Sequence, residues 1–305
     1  MRVLVTGGAG FIGSHIVEHF QGKAEVRVLD NLRSGFRHNI ERFDHEFING
    51  SIDDRETVRR AVEGVDYIFH LAAMISVPES VEKPVECVNI NVCGMLVVLE
   101  EAVRAGVKKL CFSTSASIYG DNPEVPKFET MMPEPKSPYA VTKLDGEYYC
   151  RQFHDTGRLN TACLRYFNVF GPRQDPKSQY AAAVPIFIQK AVNNETITIY
   201  GDGEQTRDFI YVKDIVAANA HLAANPDITG VFNTAYARKL TINDLAKKII
   251  AITNSSSKIE YAPVRAGDVK HSMANTDKLL ATGFKPESNF DEGLATTIKF
   301  FQNMM

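Results

Sequence analysis

The sequence predicts an α/β fold, with a doubly wound parallel sheet in the first half of the chain and a smaller mixed α/β domain after it. Short apolar runs rich in Val, Ile, Leu and Phe alternate with helical patterns through the first 167 residues. This alternation is typical of a parallel sheet covered by helices on both faces. A glycine-rich turn also joins the first apolar run to the first helical pattern, as in the opening unit of such sheets.

Strands and helices alternate regularly in the first half. The predicted strands are Val3–Thr6, Val26–Asp30, Phe47–Asn49, Val65–Leu71, Lys109–Ser113 and Thr161–Phe167. The predicted helices lie near Gly13–Phe20, Asp54–Glu63, Val92–Ala105 and Tyr139–His154. Right-handed crossovers between successive parallel strands then give the doubly wound arrangement.

After about Asn168 the signals become shorter and more mixed. A helix is predicted over Ala183–Val192 and a turn over Gly201–Gly203, and strand and helix signals return at Asp208–Ala224. We therefore predict two domains. The first covers residues 1–167, with 208–235 returning to it, and the second covers 168–207 and 236–305.

Composition excludes several classes of protein. The 34 Lys and Arg residues against 37 Asp and Glu residues give a net charge of −3, which argues against binding nucleic acid by phosphate neutralisation. The 5 cysteines form no Cys-x-x-Cys pair, so neither a disulfide framework nor a metal site is predicted. No apolar run approaches the length of about 18 residues that a membrane-spanning helix needs. No signal-peptide layout is present, and the expected compartment is the cytoplasm.

The glycine loop carries the first functional signal. Gly7, Gly10 and Gly13 follow the first strand and open the first helix, where glycines allow a tight turn and close approach of a pyrophosphate. The helix N-terminus also attracts negative charge. Asp30 ends the second strand, where a carboxylate accepts the ribose hydroxyls and repels a 2′-phosphate. NAD is therefore predicted, although Arg33 nearby leaves NADP as an alternative.

Three further side chains suit proton transfer. Tyr139 and Lys143 lie four residues apart on a predicted helix, so they share one face. An ammonium beside a phenol lowers the phenol pKa, which would make Tyr139 a base near neutral pH. Ser115 ends the fifth strand, where ligands bind in open α/β sheets. The alternatives are a surface Tyr–Lys pair and a strand-end cap, and His70 is interpreted as structural.

Taken together, these motifs resemble the extended short-chain dehydrogenase/reductase family, whose nucleotide domain is a Rossmann fold. The resemblance covers nearly the whole chain. Its motifs are Thr6–Gly13, His70–Ala73, Ser115, Tyr139-x-x-x-Lys143, Leu164–Asn168, Gly201-Asp202-Gly203-x-x-x-Arg207-Asp208-Phe209 and Arg265-x-Gly267-Asp268.

Within that family the chain is most similar to the UDP-sugar 4-epimerases. Dehydratases of the family carry Asp-Glu after the catalytic Ser or Thr, and the related decarboxylases carry Glu at the second of those positions. This chain has Ala116 and Ser117 there. The resemblance therefore implies reversible C4 epimerisation of a UDP-hexose with bound NAD, through a 4-keto intermediate. A dehydratase, decarboxylase or reductase of the same family, and a non-catalytic NAD-binding module, are the alternatives.

The resemblance also implies roles for individual residues. The catalytic residues would be Ser115, Tyr139 and Lys143. NAD would contact Gly7, Gly10, Phe11, Ile12, Gly13, Asp30, Asn31, Ser51, Ile52, Leu71, Ala72, Ala73, Tyr139, Lys143 and Tyr166. The UDP-sugar would contact Ser76, Ser115, Ala116, Asn168, Gln174, Ala182, Arg207, Arg265, Asp268 and Ser272.

Three of these expectations concern details of the family pattern. Family members usually carry Asp where this chain has Ser51, which weakens the expected adenine contact unless Asp53 compensates. A tyrosine at the Ser272 position excludes an N-acetyl group in the epimerases, so the resemblance together with Ser272 implies UDP-N-acetylglucosamine as the substrate and leaves UDP-glucose open as a second one. The family also implies a homodimer built from the helices near 92–105 and 140–154.

Overall fold

The structure, a computed structural model, describes residues 1–176, 183–264 and 270–304. Its main feature is a seven-stranded sheet in the order β11-β6-β5-β4-β1-β2-β3. These strands are β1 (Arg2–Thr6), β2 (Glu25–Asp30), β3 (Glu46–Asn49), β4 (Tyr67–His70), β5 (Lys109–Ser115), β6 (Asn160–Tyr166) and β11 (Gly230–Thr234). The pairs from β3 across to β6 are parallel, and the order reverses beside β1, as in doubly wound sheets.

Helices connect these strands in the alternating way that the sequence predicts. They are α1 (Phe11–His19), α2 (Arg55–Val62), α3 (Val77–Glu82), α4 (Pro84–Val88), α5 (Gly94–Ala105), α6 (Pro138–Asp155) and α8 (Val212–Ala224). A π-helical turn, Asn89–Cys93, joins α4 to α5, and 3₁₀ turns lie at Arg37–Asn39 and Ala116–Tyr119. The predicted doubly wound α/β fold is therefore confirmed.

The chain divides into two compact units. Unit 1 contains residues 1–120, 132–166 and 216–232. Its core consists of apolar side chains from the inner strands and from α2, α5 and α6, including Leu4, Leu29, Val58, Ile68, Val98, Leu99, Phe112 and Phe153. Burial of these side chains removes apolar surface from water and is the main stabilising contribution to the sheet.

Unit 2 contains residues 121–131, 167–215 and 233–305. Its elements are β7 (Asn168–Phe170), α7 (Ala183–Val192), β8 (Ile197–Tyr200), β9 (Thr206–Arg207), β10 (Phe209–Tyr211), β12 (Leu240–Thr241), α9 (Ile242–Thr253), β13 (Ile259–Ala262), α10 (Asp277–Leu280) and α11 (Phe290–Gln302). The strands pair two by two, as β7–β10, β8–β13 and β9–β12. An aromatic cluster of Phe170, Phe209, Tyr211 and Phe290 forms part of its core.

Candidate active site

The glycine loop lies close against the segment that follows β4. Gly7 has φ of +72°, and a Cβ there would lie 2.8 Å from the backbone nitrogen of Ala72. A Cβ on Gly13 would lie 2.2 Å from the Gly7 carbonyl oxygen. No side chain caps α1 at Gly10, so its first N–H groups are available to an anion. The loop therefore fits the pyrophosphate of a dinucleotide.

Asp30 stands at the carboxyl end of β2, beside this loop. Its side chain accepts hydrogen bonds from the N–H groups of Ala9 at 2.9 Å and Leu32 at 2.8 Å. Burial raises the pKa of Asp30, and the two N–H donors oppose that shift. Each carboxylate oxygen has a further lone pair for a ribose hydroxyl. The structure thus places Asp30 at the end of β2 with lone pairs left to accept further hydrogen bonds.

The segment after β3 contains two of the predicted cofactor residues. Ile52 is buried, and a Cβ on Gly94 would lie 2.9 Å from its Cγ1. Ser51 is partly exposed, and its carbonyl accepts from the N–H of Asp54. Asp53 is exposed. Ser51 and Asp53 thus stand on either side of the buried Ile52, shortly after the end of β3.

The loop after β4 is held by one hydroxyl. Thr6 Oγ1 accepts from the N–H groups of Leu71 and Ala72, both at 3.2 Å, and lies 2.8 Å from His70 Nδ1. Because both lone pairs of the hydroxyl accept from these N–H groups, its proton is left for Nδ1, which assigns His70 as neutral with its proton on Nε2. Burial, with a smaller effect of the Lys143 charge, lowers the pKa of His70 to about 3. His70 therefore has a structural role.

This arrangement predicts a pH dependence of stability. The pKa of His70 is about 3 in the folded chain and about 6.5 when unfolded. Between these values only the unfolded chain binds the proton, so this histidine lowers the free energy of unfolding by about 1.4 kcal/mol for each pH unit of acidification. His70→Gln lacks this linkage. Urea unfolding at several pH values from 7 to 4 should show the variant's free energy falling less steeply than wild type, whereas parallel curves would contradict the assignment.

Ser115 and Tyr139 come together at the carboxyl end of β5. The Ser115 hydroxyl lies close enough to the Tyr139 hydroxyl to lower the Tyr139 pKa as a polar neighbour. Ser115 Oγ also accepts from the N–H of Ser117 at 3.2 Å. Desolvation of the Tyr139 hydroxyl is the larger effect and raises its pKa to about 12. The two predicted catalytic hydroxyls are therefore close to each other.

Lys143 lies one helical turn after Tyr139 and is buried. Its Nζ donates to the carbonyl oxygen of Ser113 at 2.8 Å and lies 5.8 Å from the centre of the Tyr139 ring. Burial lowers the Lys143 pKa to about 8. The sequence predicted that this ammonium lowers the Tyr139 pKa. In the protein alone the Tyr139 pKa is raised instead: desolvation is the largest cause, Ser115 is the group that lowers the pKa, and the Lys143 ammonium is directed to a backbone carbonyl.

Asn91 is a positioning residue that the sequence analysis missed. Its Oδ1 accepts from Met74 N–H at 2.7 Å, and its Nδ2 donates to the Met74 carbonyl at 3.0 Å and to Thr142 Oγ1 at 3.0 Å. The residue is buried within the π-helical turn between α4 and α5. It thereby ties the loop after β4 to the helix that carries Tyr139 and Lys143. A polar residue within the otherwise mostly apolar helical pattern of residues 88–99 was the available signal.

Two serines fix the start of α3. Ser76 is buried and caps this helix by accepting from the N–H of Glu79 at 3.0 Å. Ser80 Oγ accepts from the N–H of Tyr139 at 3.2 Å. Consequently α3 and the first turn of α6 hold each other in register, and the predicted sugar contact Ser76 lies in the same part of unit 1 as Tyr139.

The other predicted residues of unit 1 lie as follows. Phe11 and Ile12 form the first turn of α1, Asn31 is exposed after β2, Ala73 is partly exposed after β4, and Ala116 begins the 3₁₀ turn after Ser115. Tyr166 ends β6, and its hydroxyl accepts from Asn219 Nδ2 at 2.7 Å. Burial raises the Tyr166 pKa. Its hydroxyl is thus engaged inside unit 1.

Unit 2 brings together three of the predicted substrate residues. Asn168 donates to the carbonyl of Asp208 through its backbone N–H at 3.1 Å and its Nδ2 at 3.0 Å. The N–H of Ser272 donates to the Thr206 carbonyl at 3.1 Å, which places Ser272 beside Arg207. Gln174 donates from Nε2 to a backbone carbonyl, that of residue 169, at 3.2 Å. Ala182, Arg265 and Asp268 lie outside the described residues.

Asp208 is a second buried group that the sequence analysis did not single out. It accepts from the N–H groups of Ala274 at 3.0 Å and Tyr236 at 3.2 Å. Burial raises its pKa to about 6, although the N–H donors oppose the shift. The Asp208 carboxyl therefore anchors the segments around Tyr236 and Ala274 to the strand pair β7–β10.

Residues 1–176, 183–264 and 270–304 contain no helix long and apolar enough to cross a membrane. Over the same ranges, no three His, Cys, Asp or Glu side chains are grouped so that they could hold a metal ion.

Comparisons with known proteins agree with this geometry. Residues 3–235 match the model of the NAD dependent epimerase/dehydratase family. A UDP-N-acetylglucosamine 4-epimerase from Methanobrevibacter ruminantium M1, solved in complex with UDP-N-acetylmuramic acid, is 42% identical, with a TM-score of 0.95 over 100% of this chain and 99% of that one. A UDP-glucose 4-epimerase from Thermotoga maritima, solved with UDP-glucose, is 40% identical, with a TM-score of 0.94 over 100% and 99%. A putative UDP-glucose 4-epimerase from Methanocaldococcus jannaschii is 36% identical over 99% of this chain and 98% of its own length.

Proposed function

The chain belongs to the NAD-dependent epimerase/dehydratase family, and from this premise we propose that it is a UDP-sugar 4-epimerase with NAD as its bound cofactor. The observation that carries the proposal is the proximity of Ser115 and Tyr139, with Lys143 one turn further along α6. A non-catalytic NAD-binding module would have no need of these three side chains grouped at one strand end. The assignment of unit 1 to NAD and of unit 2 to the UDP-sugar is part of the proposal.

The residues of unit 1 fit an NAD molecule. The glycine loop and the uncapped start of α1 would hold the pyrophosphate, and Asp30 would accept the hydroxyls of the adenosine ribose. The ends of β3 and β4, at Ser51, Ile52 and Leu71–Ala73, would hold the remaining parts of the cofactor. When bound, NAD supplies hydride acceptance and hydride return at one carbon atom, so no net NADH is produced.

The protein side chains move the proton. Tyr139 takes the proton of the sugar 4-hydroxyl as C4 is oxidised and returns it to the 4-keto sugar as C4 is reduced from its other face. Ser115 shares the sugar oxygen by hydrogen bonding. Lys143 stabilises the phenolate of Tyr139 and holds the nicotinamide ribose. Lys143 is buried and the Tyr139 hydroxyl is desolvated, so their charges interact more strongly than they would in solution.

Unit 2 supplies the side chains for the UDP part of the substrate. Asn168, Arg207 and Arg265 would hold the diphosphate, since guanidinium groups match phosphate oxygens in geometry and charge. Asp268 would accept from the uridine ribose, and Gln174, Ala182 and Ser272 would lie along the sugar. The hydrogen bonds that join Asn168 to Asp208 and Ser272 to Thr206 support a shared site for Asn168, Arg207 and Ser272.

Ser272 gives a prediction about substrate size. The serine leaves room for an N-acetyl group at the sugar C2 position, so UDP-N-acetylglucosamine is a substrate along with UDP-glucose. In Ser272→Tyr we expect kcat/KM for UDP-N-acetylglucosamine to fall about 100-fold, because a misfit of a few atoms in a pocket costs about 1–3 kcal/mol. The value for UDP-glucose should change by less than about threefold.

Rates for both sugars, measured with wild type and Ser272→Ala beside the tyrosine variant, check this prediction. Ser272→Ala keeps the small side chain and should retain both activities. Equal turnover of UDP-N-acetylglucosamine by Ser272→Tyr and wild type would show that this position does not limit the sugar.

We also propose that the chain forms a homodimer. Val141 and Tyr148 on α6 are 43% and 56% exposed, and a spacing of seven places them on one face of the helix. Val85 and Val88 on the neighbouring α4 are 72% and 42% exposed. Exposed apolar surface of this kind is typical of an interface. Sedimentation velocity should give a dimer, and a monomer at micromolar concentration would contradict it.

The test of the activity is an NMR assay of purified protein with UDP-N-acetylglucosamine and UDP-glucose. Appearance of the C4 epimer without net NADH is the expected result, and absence of both epimers would refute the proposed function. The second candidate is a family dehydratase or decarboxylase. Ala116 and Ser117, at the start of the 3₁₀ turn after Ser115, offer no carboxylate for either reaction, so release of CO₂ from UDP-glucuronate should be absent.

A further inference from the structure

Arg33 lies in the loop after β2, and a strained turn sets its position. Leu32 has φ of 60°, a left-handed conformation that is uncommon for a residue with a side chain. Its N–H donates to the Asp30 carboxylate at 2.8 Å, and the Arg33 N–H donates to Asn31 Oδ1 at 3.1 Å. These bonds fix the direction in which the chain leaves Asp30.

The rest of this loop packs on the glycine loop. Phe36 N–H donates to the Ala9 carbonyl at 3.0 Å, and Asn39 Nδ2 donates to the same oxygen at 2.9 Å. A Cβ on Gly35 would lie 2.8 Å from the Ala9 carbonyl carbon. Because Ala9 N–H also donates to Asp30, the loop 31–36 and the proposed ribose ligand form one connected structure.

In dinucleotide-binding sheets, an arginine near the acidic residue at the end of the second strand accommodates the 2′-phosphate of NADP. Its planar guanidinium binds phosphate oxygens with two parallel hydrogen bonds. A free Arg33 would therefore favour NADP, in opposition to Asp30.

The guanidinium of Arg33 is instead bound by two carboxylates. Its Nη2 donates to Glu79 Oε1 at 2.7 Å and its Nη1 to Glu86 Oε1 at 2.5 Å. Glu79 belongs to α3 and Glu86 to α4. Lys83 Nζ lies 3.7 Å from the first carboxylate and 3.9 Å from the second. The group contains two positive and two negative side chains, so it presents no excess positive charge.

This pairing differs from a single surface ion pair in having two carboxylate partners. The side chains of Arg33, Glu79 and Glu86 are 32%, 29% and 42% exposed. A single exposed ion pair contributes little because water competes for both partners. Here two separate carboxylates occupy the guanidinium, so an incoming phosphate would have to replace two charge-assisted hydrogen bonds.

We propose that Glu79 and Glu86 are specificity-determining residues that withhold Arg33 from a 2′-phosphate, so that the site takes NAD rather than NADP. The proposal rests on the proposed function in one respect, which is that a dinucleotide occupies unit 1. NADP is then disfavoured twice, by repulsion from Asp30 and by the loss of its guanidinium ligand.

The test compares wild type with Glu79→Gln/Glu86→Gln. Each purified full-length protein is incubated with equal concentrations of NAD⁺ and NADP⁺, desalted and denatured, and the released nucleotides are quantified by ion-pair chromatography. We expect the retained NADP⁺:NAD⁺ ratio to rise about tenfold in the variant, because a freed guanidinium can make a charge-assisted hydrogen bond to the phosphate. Adding Arg33→Ala to the variant should return the ratio to that of wild type.

Glu100→Gln is the matched control, since it removes the 2.5 Å partner of Arg55 in another surface pair of unit 1 and should leave the ratio unchanged. The proposal is overturned by an unchanged ratio in the double variant, or by a raised ratio that persists after Arg33→Ala. Absence of epimerisation in a wild type that retains NAD would refute the proposed function only. A wild type that retains neither dinucleotide would refute both.

Discussion

Replacing Tyr139 by phenylalanine should lower kcat for 4-epimerisation by about 1,000-fold, within the range of about 10²–10⁴ that a positioned acid–base group contributes. The substitution removes the only atom of this side chain that can exchange a proton with the sugar 4-hydroxyl. It also removes the hydroxyl that lies beside Ser115 Oγ. KM should change little, because the lost hydroxyl acts in the proton-transfer step and not in binding the UDP part of the substrate.

The measurement is single-turnover and steady-state epimerisation followed by NMR, with retained NAD quantified in the same preparation. Normal NAD content in Tyr139→Phe would show that unit 1 is intact. Tyr67→Phe is the matched control, since it removes a tyrosine hydroxyl at the start of β4, away from the carboxyl ends of the strands, and should keep wild-type kcat. Near-normal turnover by Tyr139→Phe would refute the mechanism.

The pKa values explain why this residue needs its cofactor. Desolvation places the Tyr139 pKa at about 12 and the Lys143 pKa at about 8. Near pH 7 the tyrosine of the protein alone is therefore protonated, while most of the lysine is charged. A base that works near neutral pH requires additional positive charge close to the phenol, and NAD⁺ carries such a charge. We therefore expect Tyr139 to act as a base near neutral pH only when NAD⁺ is bound.

The sequence was sufficient for the parts of the fold that depend on local pattern. The glycine loop, the strand ends at Asp30 and Ser115, and the Tyr139–Lys143 spacing all follow from short-range rules of turns, alternation and helical period. Each of these residues stands in the structure at the end or on the face that its local sequence indicated. For such features, long-range contacts only reinforce what the neighbouring residues already favour.

Other features depend on contacts between residues distant in sequence. Asn91 is defined by its bonds to Met74 and Thr142, and Asp208 by its bonds to Tyr236 and Ala274. No periodicity in the chain marks these partners. The order of contributions to the Tyr139 pKa was also beyond the sequence, since burial of the hydroxyl and the direction of the Lys143 ammonium are tertiary properties. The strands of unit 2 are too short to show a repeating apolar pattern, so their pairing could not be predicted from the sequence either.

A buried ion pair near Ser115 and Lys143 gives the second large predicted effect, which is on the free energy of unfolding. Glu147 on α6 and Arg165 on β6 are buried and form two hydrogen bonds, at 2.9 Å and 2.7 Å. Thr114 Oγ1 donates to the same carboxylate at 2.8 Å, and Arg165 also donates to the Tyr119 hydroxyl at 2.9 Å. Burial opposes the charge of Arg165, but Glu147 outweighs it, and the net pKa of Arg165 is raised. The Glu147 carboxylate thus offsets the free-energy cost of burying the charged guanidinium of Arg165.

Glu147→Gln should therefore lower the free energy of unfolding by about 3–5 kcal/mol, because it leaves an uncompensated charge in the core. Urea unfolding followed by circular dichroism measures the change. Asp155→Asn is the control, since Arg151 and Asp155 form an exposed pair on the same helix at 3.3 Å, worth about 0.5 kcal/mol or less.

In Glu147→Leu/Arg165→Met both buried charges are gone, so much of the lost free energy of unfolding should be recovered. If Glu147→Gln is no more destabilising than Asp155→Asn, the buried ion pair does not contribute to the free energy of unfolding as proposed. If the double variant is less stable than Glu147→Gln, the hydrogen bonds to Thr114 and Tyr119 matter more than the ion pair itself.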